Sequence, residues 1–193
     1  AADTLGKYSV AIGRSALASQ NFTSDTASNN VAVGYKAGTA VTTGVNNTLL
    51  GALAGDALTD ADFNVAIGTS ALSADTLGSR STAIGRNALA AQNFTSATNT
   101  DNVAIGYNAG LSVTTGTQNT LVGSLAGDAL TTGNTNVAVG SSALSAEIQG
   151  DRNVAVGYAA LSLQSNASDT DVYNTAVGYF AGGVITSGTR NTL

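Results

Sequence analysis

The chain has 193 residues, a formal net charge of −5, and no proline, cysteine, histidine, methionine or tryptophan. Without Cys or His it can build no zinc finger, thiol nucleophile, Ser-His-Asp triad or disulfide, and seven scattered basic residues in an acidic chain argue against nucleic acid or an anionic membrane as partner. The 43% apolar content includes 34 alanines, so Val, Ile, Leu and Phe together supply 43 residues against 86 of Asn, Thr, Ser and Gly, which argues against one large core and for something thin and repetitive.

From the start of the chain, Ala1 to Val10 has neither the basic opening nor the apolar stretch of a signal peptide. No apolar run anywhere approaches the ~20 residues of a membrane helix, so no membrane insertion is expected. The first repeated unit is Ser9-Val-Ala-Ile-Gly13, and its glycine recurs at 34, 51, 68, 85, 106, 123, 140, 157 and 178. The spacings run 21, 17, 17, 17 and then begin again, so Gly13, Gly85 and Gly157 are 72 apart. Residues 3–72 and 75–144 are identical at 47 of 70 positions. A short coil is therefore nested in a four-coil super-repeat covering about 1–72, 73–144 and, in part, 145–193. The whole of 1–193 reads as one continuous segment.

Each coil has fixed chemistry around its glycine. One residue before it stands Val, Ile or Leu, three before stands Val or Thr, and between them stands Ala, or Leu at Leu49 and Leu121. This alternation predicts a short strand with its β-branched ranks on one face. Three residues after the glycine Ala is invariant, followed by Leu or Gly; the Gly-type coils carry an apolar residue three positions later, such as Val41 or Leu58. Four before the glycine stands Asn30, Asn47, Asn64, Asn102, Asn119, Asn136, Asn153 or Asn174, replaced by Ser9 and Ser81 in two coils. Asn stacked on Asn predicts a structural ladder of amide hydrogen bonds, and Asn also tolerates a left-handed corner.

A period of 17 is too short for a helix pair, and Thr, Asn, Ser and Gly are poor helix formers. The fold class expected is all-β: a parallel β-solenoid or β-roll, with strands of about five residues and eleven or so coils on the order of 50 Å long. Missing proline fits, because each coil's N–H groups are needed by its neighbour. The Ala ranks suggest a face that another solenoid could approach closely, hence self-association, a homotrimer foremost. The chain opens in mid-coil and stops two residues before the next expected glycine, without the polar caps of solenoid ends, so the reading expects the rod to continue, end to end or through more chain.

The strings Ser9-Val-Ala-Ile-Gly13, Asn64-Val-Ala-Ile-Gly68 and Asn102-Val-Ala-Ile-Gly106, each with Ala three residues on, resemble the head repeats of trimeric autotransporter adhesins. The phrase from Gly34-Tyr-Lys-Ala-Gly38 through Thr-Thr-Gly44 to Asn47-Thr-Leu is similar to repeats of bacteriophage tail fibres and large bacterial surface proteins. The resemblance implies a left-handed parallel β-roll, three chains side by side, an extracellular, cell-surface or virion location, and attachment to a host-surface or glycan receptor. Coils of 17 and 21 are longer and less uniform than those of adhesin heads, which leans toward the fibre-type relatives.

Several residues stand out from the repeat. Phe22 and Phe94 lie in the long-coil loops, as regularly spaced contacts or folded back over the widened coil. Asn21, Asn46, Asn93 and Asn166 match the N-x-(S/T) glycosylation pattern. Tyr35, Tyr107, Tyr158 and Tyr179 follow the motif glycine directly, where a corner-packing role is favoured over sugar binding. Asp60, Asp62, Asp169 and Asp171 read as solvated acids rather than Ca²⁺ ligands. Arg14, Arg86, Asp56 and Asp128 read as surface charges. Stacked Thr42, Thr59 and Thr76, like Thr114 and Thr131, invite an ice-binding reading that the interrupted rank disfavours. No nucleophile–base pair, cofactor motif or metal pattern emerges. The function expected is a structural and adhesive fibre segment. The alternatives are a self-assembling, glycosylated filament subunit, or more remotely an ice- or carbohydrate-binding module.

Overall fold

In a computed structural model, which describes residues 5–193, the chain winds as a β-solenoid and no helix forms among those residues. Ten three-residue strands, from Val10–Ile12 and Val31–Val33 through to Thr175–Val177, lie side by side in chain order as one parallel sheet. An eleventh turn begins at the Thr175–Thr192 bridge. The register follows the motif: Val31, Ala32 and Val33 pair with Thr48, Leu49 and Leu50, and those with Val65, Ala66 and Ile67. Each strand bonds the coils on both sides, as Val31 N–H donates to Asn47 at 2.8 Å while Gly34 N–H donates back to Ile12 at 2.8 Å.

Strands stop at three residues rather than the five expected from the alternation because bends crowd in on both sides. The residue five before the motif glycine is left-handed, as at Asn46 (φ 58) and Phe63 (φ 59), and so is the second after it, as at Lys36 (φ 57). The corner therefore falls one residue ahead of the ladder asparagine, not on it. The motif glycine itself sits at φ 130 in Gly68, and a Cβ there would lie 2.6 Å from the carbonyl oxygen of Gly85 in the next coil. Stacked glycines thus let neighbouring turns close to strand spacing where a side chain would wedge them apart.

The interior corrects the expected role of alanine. The middle strand residue is fully buried in Ala32, Leu49, Ala66, Ala83 and their equivalents, as is the alanine three after the glycine in Ala37, Ala54 and Ala71. The Ala ranks face inward and line a narrow core, so they offer no face to a neighbouring rod. Leucine fills the remaining space in two ways. Leu17, Leu72, Leu89, Leu144 and Leu161 stand four residues after their glycines and enter the core. Where Gly38 and Gly55 occupy that position, Leu49 spreads over both, its methyls 2.5 Å and 2.7 Å from where their Cβ atoms would be.

In the long coils, the four extra residues make a side ladder. Gly6–Lys7 pairs with Thr26–Ala27, Gly78–Ser79 with Thr98–Asn99, and Gly150–Asp151 with Thr170–Asp171.

Candidate functional site

The asparagine ladder lies inside the rod. Asn47 donates from its backbone N–H and its Nδ2 to Asn30 Oδ1, at 2.9 and 3.3 Å, and its Nδ2 reaches the Ala61 carbonyl at 2.7 Å. The pattern continues from Asn64 to Asn47, from Asn119 to Asn102, from Asn136 to Asn119 and from Asn153 to Asn136, and Asn174 N–H reaches Asn153. All of these asparagines are fully buried. The ladder closes the backbone of one corner and presents nothing to solvent.

At each long coil the ladder amide turns to a buried glutamine: Asn30 to Gln20, Asn102 to Gln92 and Asn174 to Gln164. Two of these glutamines stack on a buried acid. Asp75 accepts from Gln92 Nε2 at 2.6 Å and from the Gly78 and Phe94 N–H groups, each at 3.0 Å. Glu147 accepts from Gln164 Nε2 at 2.7 Å, from both nitrogens of Asn166, and from Ile148, Gln149 and Gly150 N–H. Burial pushes the Glu147 carboxyl up, but these hydrogen bonds outweigh it and hold it below its ordinary value. The super-repeat equivalent, Asp3, lies outside the described residues. The sequence carries a signal for these groups: wherever Leu stands four after the glycine, the residue three further on is Gln, Asp or Glu.

The loop residues divide. Phe22 and Phe94 are 6% and 8% exposed. Of the two readings, their burial fits folding back over the widened coil and not exposed loop contacts. Asn21 and Asn93 of the acceptor pattern are exposed, and Asn46 is half-buried and accepts from Asn29. Asn166 is half-buried and donates from its Nδ2 to Glu147 Oε2 at 2.9 Å. Thr42, Thr59, Thr114 and Thr131 each donate their hydroxyl to a carbonyl of the next coil, at 2.9–3.2 Å. That rank serves the stack.

Asp60 and Asp62 accept from Thr43 and the Val45 N–H of the preceding coil, and Asp171 pairs with Arg152. Asp56 and Asp128 are partly covered, each with one buried oxygen lacking a hydrogen-bond partner. Burial pushes both carboxyls up. Among the described residues no pocket opens, and no three metal-ligating side chains gather.

What the rod does present is one face. The residues three before and one before each glycine point outward from the ten-stranded sheet, giving two ranks of Val, Thr, Ile and Leu that are half-buried or exposed. Nine strand gaps of ~4.8 Å make this face about 43 Å long, and two outward side chains give it a width of about 10 Å. Its two borders are the corner ranks. The leading corner, five before each glycine, carries Tyr8, Phe63, Arg80, Asp101, Arg152, Tyr173 and Arg190; the trailing corner, one after it, carries Arg14, Tyr35, Arg86, Tyr107, Tyr158 and Tyr179. Every tyrosine and every arginine of the chain is on these two ranks, while only one of its twelve acidic residues, Asp101, is. The corners are laced along the rod: Arg14 lies 5.9 Å from the Tyr35 ring, Arg86 5.8 Å from Tyr107, Arg152 5.5 Å from Tyr173, and the Tyr158 and Tyr179 rings stack at 5.4 Å.

The tyrosines are 44–79% exposed along the trailing corner. They sit at a corner, and each keeps a large part of its side chain exposed. Sequence alternation identifies the Val/Ile ranks as sharing a face without saying that this face is the outer one.

Comparison with protein-family models, with curated proteins and with solved structures returns no match to this chain.

Proposed function

We propose that the chain is a segment of an extracellular structural and adhesive fibre, a rod of a surface appendage or phage tail fibre, whose copies associate side by side as a homotrimer. The observation that carries this reading is the outward Val/Ile face framed by tyrosine and arginine on an otherwise polar, acidic rod. An apolar patch of about 400 Å² rimmed by such residues is the composition of an interaction surface, with Tyr and Arg as its usual anchors. The core supports the reading from the other side. Each turn buries one or two large aliphatics among alanines, a slender interior that lateral association would reinforce. The resemblance to adhesin heads and tail-fibre repeats supplies the context of attachment.

Sedimentation equilibrium tests it. The protein should sediment as a trimer, and Val65→Lys with Ile67→Lys, both outward on one central strand, should weaken association about 100-fold by burying unpaired charge, with the β-rich circular dichroism retained. A monomer at all concentrations would sink the reading. Attachment is tested by binding of the associated rod, and not of the lysine variant, to cell surfaces or a glycan array.

A further inference from the structure

The trailing corner is unevenly filled, and its gaps carry an inference that rests on the attachment proposed above. We infer that the stretch of this corner from Tyr35 to Arg86 is a seat for an acidic saccharide, a sugar segment bearing carboxylate or sulfate groups.

From coil to coil the rank runs Arg14, Tyr35, Ala52, Thr69, Arg86. Its backbone is fixed, because the N–H groups of Lys36, Leu53, Ser70 and Asn87 donate to the carbonyls of Arg14, Tyr35, Ala52 and Thr69 at 2.9–3.0 Å. Tyr35 and Arg86 stand three strand gaps apart, about 14 Å, with only an alanine and a threonine between them. Arg14 and Lys36 lie 5.9 and 5.6 Å from the Tyr35 ring, and Tyr35 is still 44% exposed. Arg86, also exposed, closes the other end. Among the described residues the ion pairs are Lys7 with Asp25 and Arg152 with Asp171. Arg14, Lys36 and Arg86 therefore meet no carboxylate at that range; Lys36 acts from further off on the partly covered Asp56 of the next coil.

An open ring beside fixed cations suits a sugar with acid groups. The ring takes an apolar C–H face, the ammonium and guanidinium groups take the anions, and the Thr69 hydroxyl is there for a sugar hydroxyl. The net charge of −5 does not oppose this, because winding sets three cations, scattered in the sequence, along one corner. Three cations over about 19 Å are too few for a nucleic acid, whose binding grows with the number of phosphates neutralised. One super-repeat on, the stretch from Tyr107 to Tyr158 has the same spacing and again small residues between, Ser124 and Ser141, but Lys36 has become Asn108 and Arg86 has become Tyr158. The chain thus carries the same shape twice, once with the cations at these positions and once without.

Electrophoresis of the folded rod through gels containing dextran sulfate, polygalacturonate or unmodified dextran tests the seat. The acidic polymers should retard the rod and dextran should not, and the stronger of the two separates sulfate from carboxylate. Arg86→Gln and Lys36→Gln should each weaken the interaction about fivefold to tenfold. Lys7→Gln, which removes the same charge from a wide-coil side ladder, should leave it unchanged. Asn108→Lys/Tyr158→Arg should build a second seat and strengthen retardation, a gain that a folding defect cannot mimic. Retardation by neither acidic polymer, equal retardation by dextran, equal weakening in Lys7→Gln, no gain in the second-seat variant, or preferential displacement by single-stranded DNA would each overturn the seat. If the native chain and the Arg86→Gln and Lys36→Gln variants bind cells or a glycan array alike, the seat is wrong while attachment stands. A native rod that binds no cell, array or polymer loses both.

Discussion

Coils with glycine four residues after the motif and coils with leucine there enclose the same cross-section with different chemistry. In the glycine type, Val41, Leu58, Val113 and Leu130 complete an interior that is apolar apart from the asparagine ladder. In the leucine type the equivalent positions are Gln20, Asp75, Gln92, Glu147 and Gln164, all buried. The polar set gathers where the coil length changes. Coils of equal length satisfy each other's backbone turn by turn, but four inserted residues leave N–H groups without a counterpart, and a buried donor must find an acceptor. Asp75 takes the Gly78 and Phe94 N–H groups, and Glu147 takes those of Gly150 and Asn166. The acid and the residue it holds change together: Asp75 serves a loop with Phe94, whereas the longer Glu147 faces Asn166 and uses its side-chain amide as well. A solenoid can widen a turn, provided an acceptor is buried beside it.

Truncation should expose the contrast most strongly. Asp75→Ala leaves two buried backbone N–H groups unpartnered and takes from Gln92 Nε2 one of its two acceptors, the other being Ser81 Oγ, an expected loss on the order of 3–5 kcal/mol. Leu58→Ala in a glycine-type coil removes only apolar contacts and should lose about 2–4 kcal/mol. Urea unfolding ranks the two, and hydrogen exchange at Gly78 and Phe94 should rise sharply in the first variant alone. Equal losses with equal exchange would mean that the wide coil needs filling rather than an acceptor.

Much of this was legible in the sequence, and the part that was not has a physical cause. Period-two alternation and the 17- and 21-residue spacing establish the parallel solenoid, its register and the asparagine ladder, because each is a statement about which residues stack on which. Alternation cannot say which strand face is inside. Hydrophobicity points the wrong way here, since Val and Ile outrank Ala, yet it is Ala that fits a core this narrow. The informative signal is volume exchange: Leu49 stands where Ala is usual, between Gly38 and Gly55, and Leu121 stands likewise between Gly110 and Gly127. Positions that trade volume share a space, and that space is the core. The buried acids escaped for the opposite reason. They occur once per super-repeat, so a coil-by-coil reading takes them for surface charge. Only their pairing with leucine three residues earlier sets them apart.

Acid should act on the wide coil next in size. The Glu147 carboxyl is held below its ordinary value of 4.5 in the folded chain, so its contribution is complete above that value and is lost as pH falls through the folded one. Glu147→Gln turns an acceptor into a donor facing donors, and should cost about 1–3 kcal/mol at pH 7 while flattening the acid limb of the stability curve. Urea midpoints between pH 7 and pH 3 give both numbers. An unchanged acid limb in the variant would place the acid sensitivity elsewhere.

The glycine-type coils should respond with the opposite sign and more weakly. Burial pushes the Asp56 and Asp128 carboxyls above the ordinary 3.8, against the lowering by a backbone hydrogen bond at each and by the Lys36 charge near Asp56. A carboxyl raised in the folded state binds its proton more tightly there than in the unfolded chain. Its contribution is therefore present below the unfolded value and is lost as pH rises through the folded one. At neutral pH each is a partly covered charge with one oxygen unpartnered, and Asp56→Asn or Asp128→Asn should stabilise the rod by up to about 0.5 kcal/mol, with no gain at pH 3. The two carboxylate classes then oppose each other as the solution is acidified, and the number of hydrogen bonds decides between them. Glu147 surrenders a full set of buried bonds on protonation, whereas Asp56 and Asp128 are relieved of a modest desolvation. The net effect of acid should be a rod that loosens first at its wide coils while its narrow coils hold.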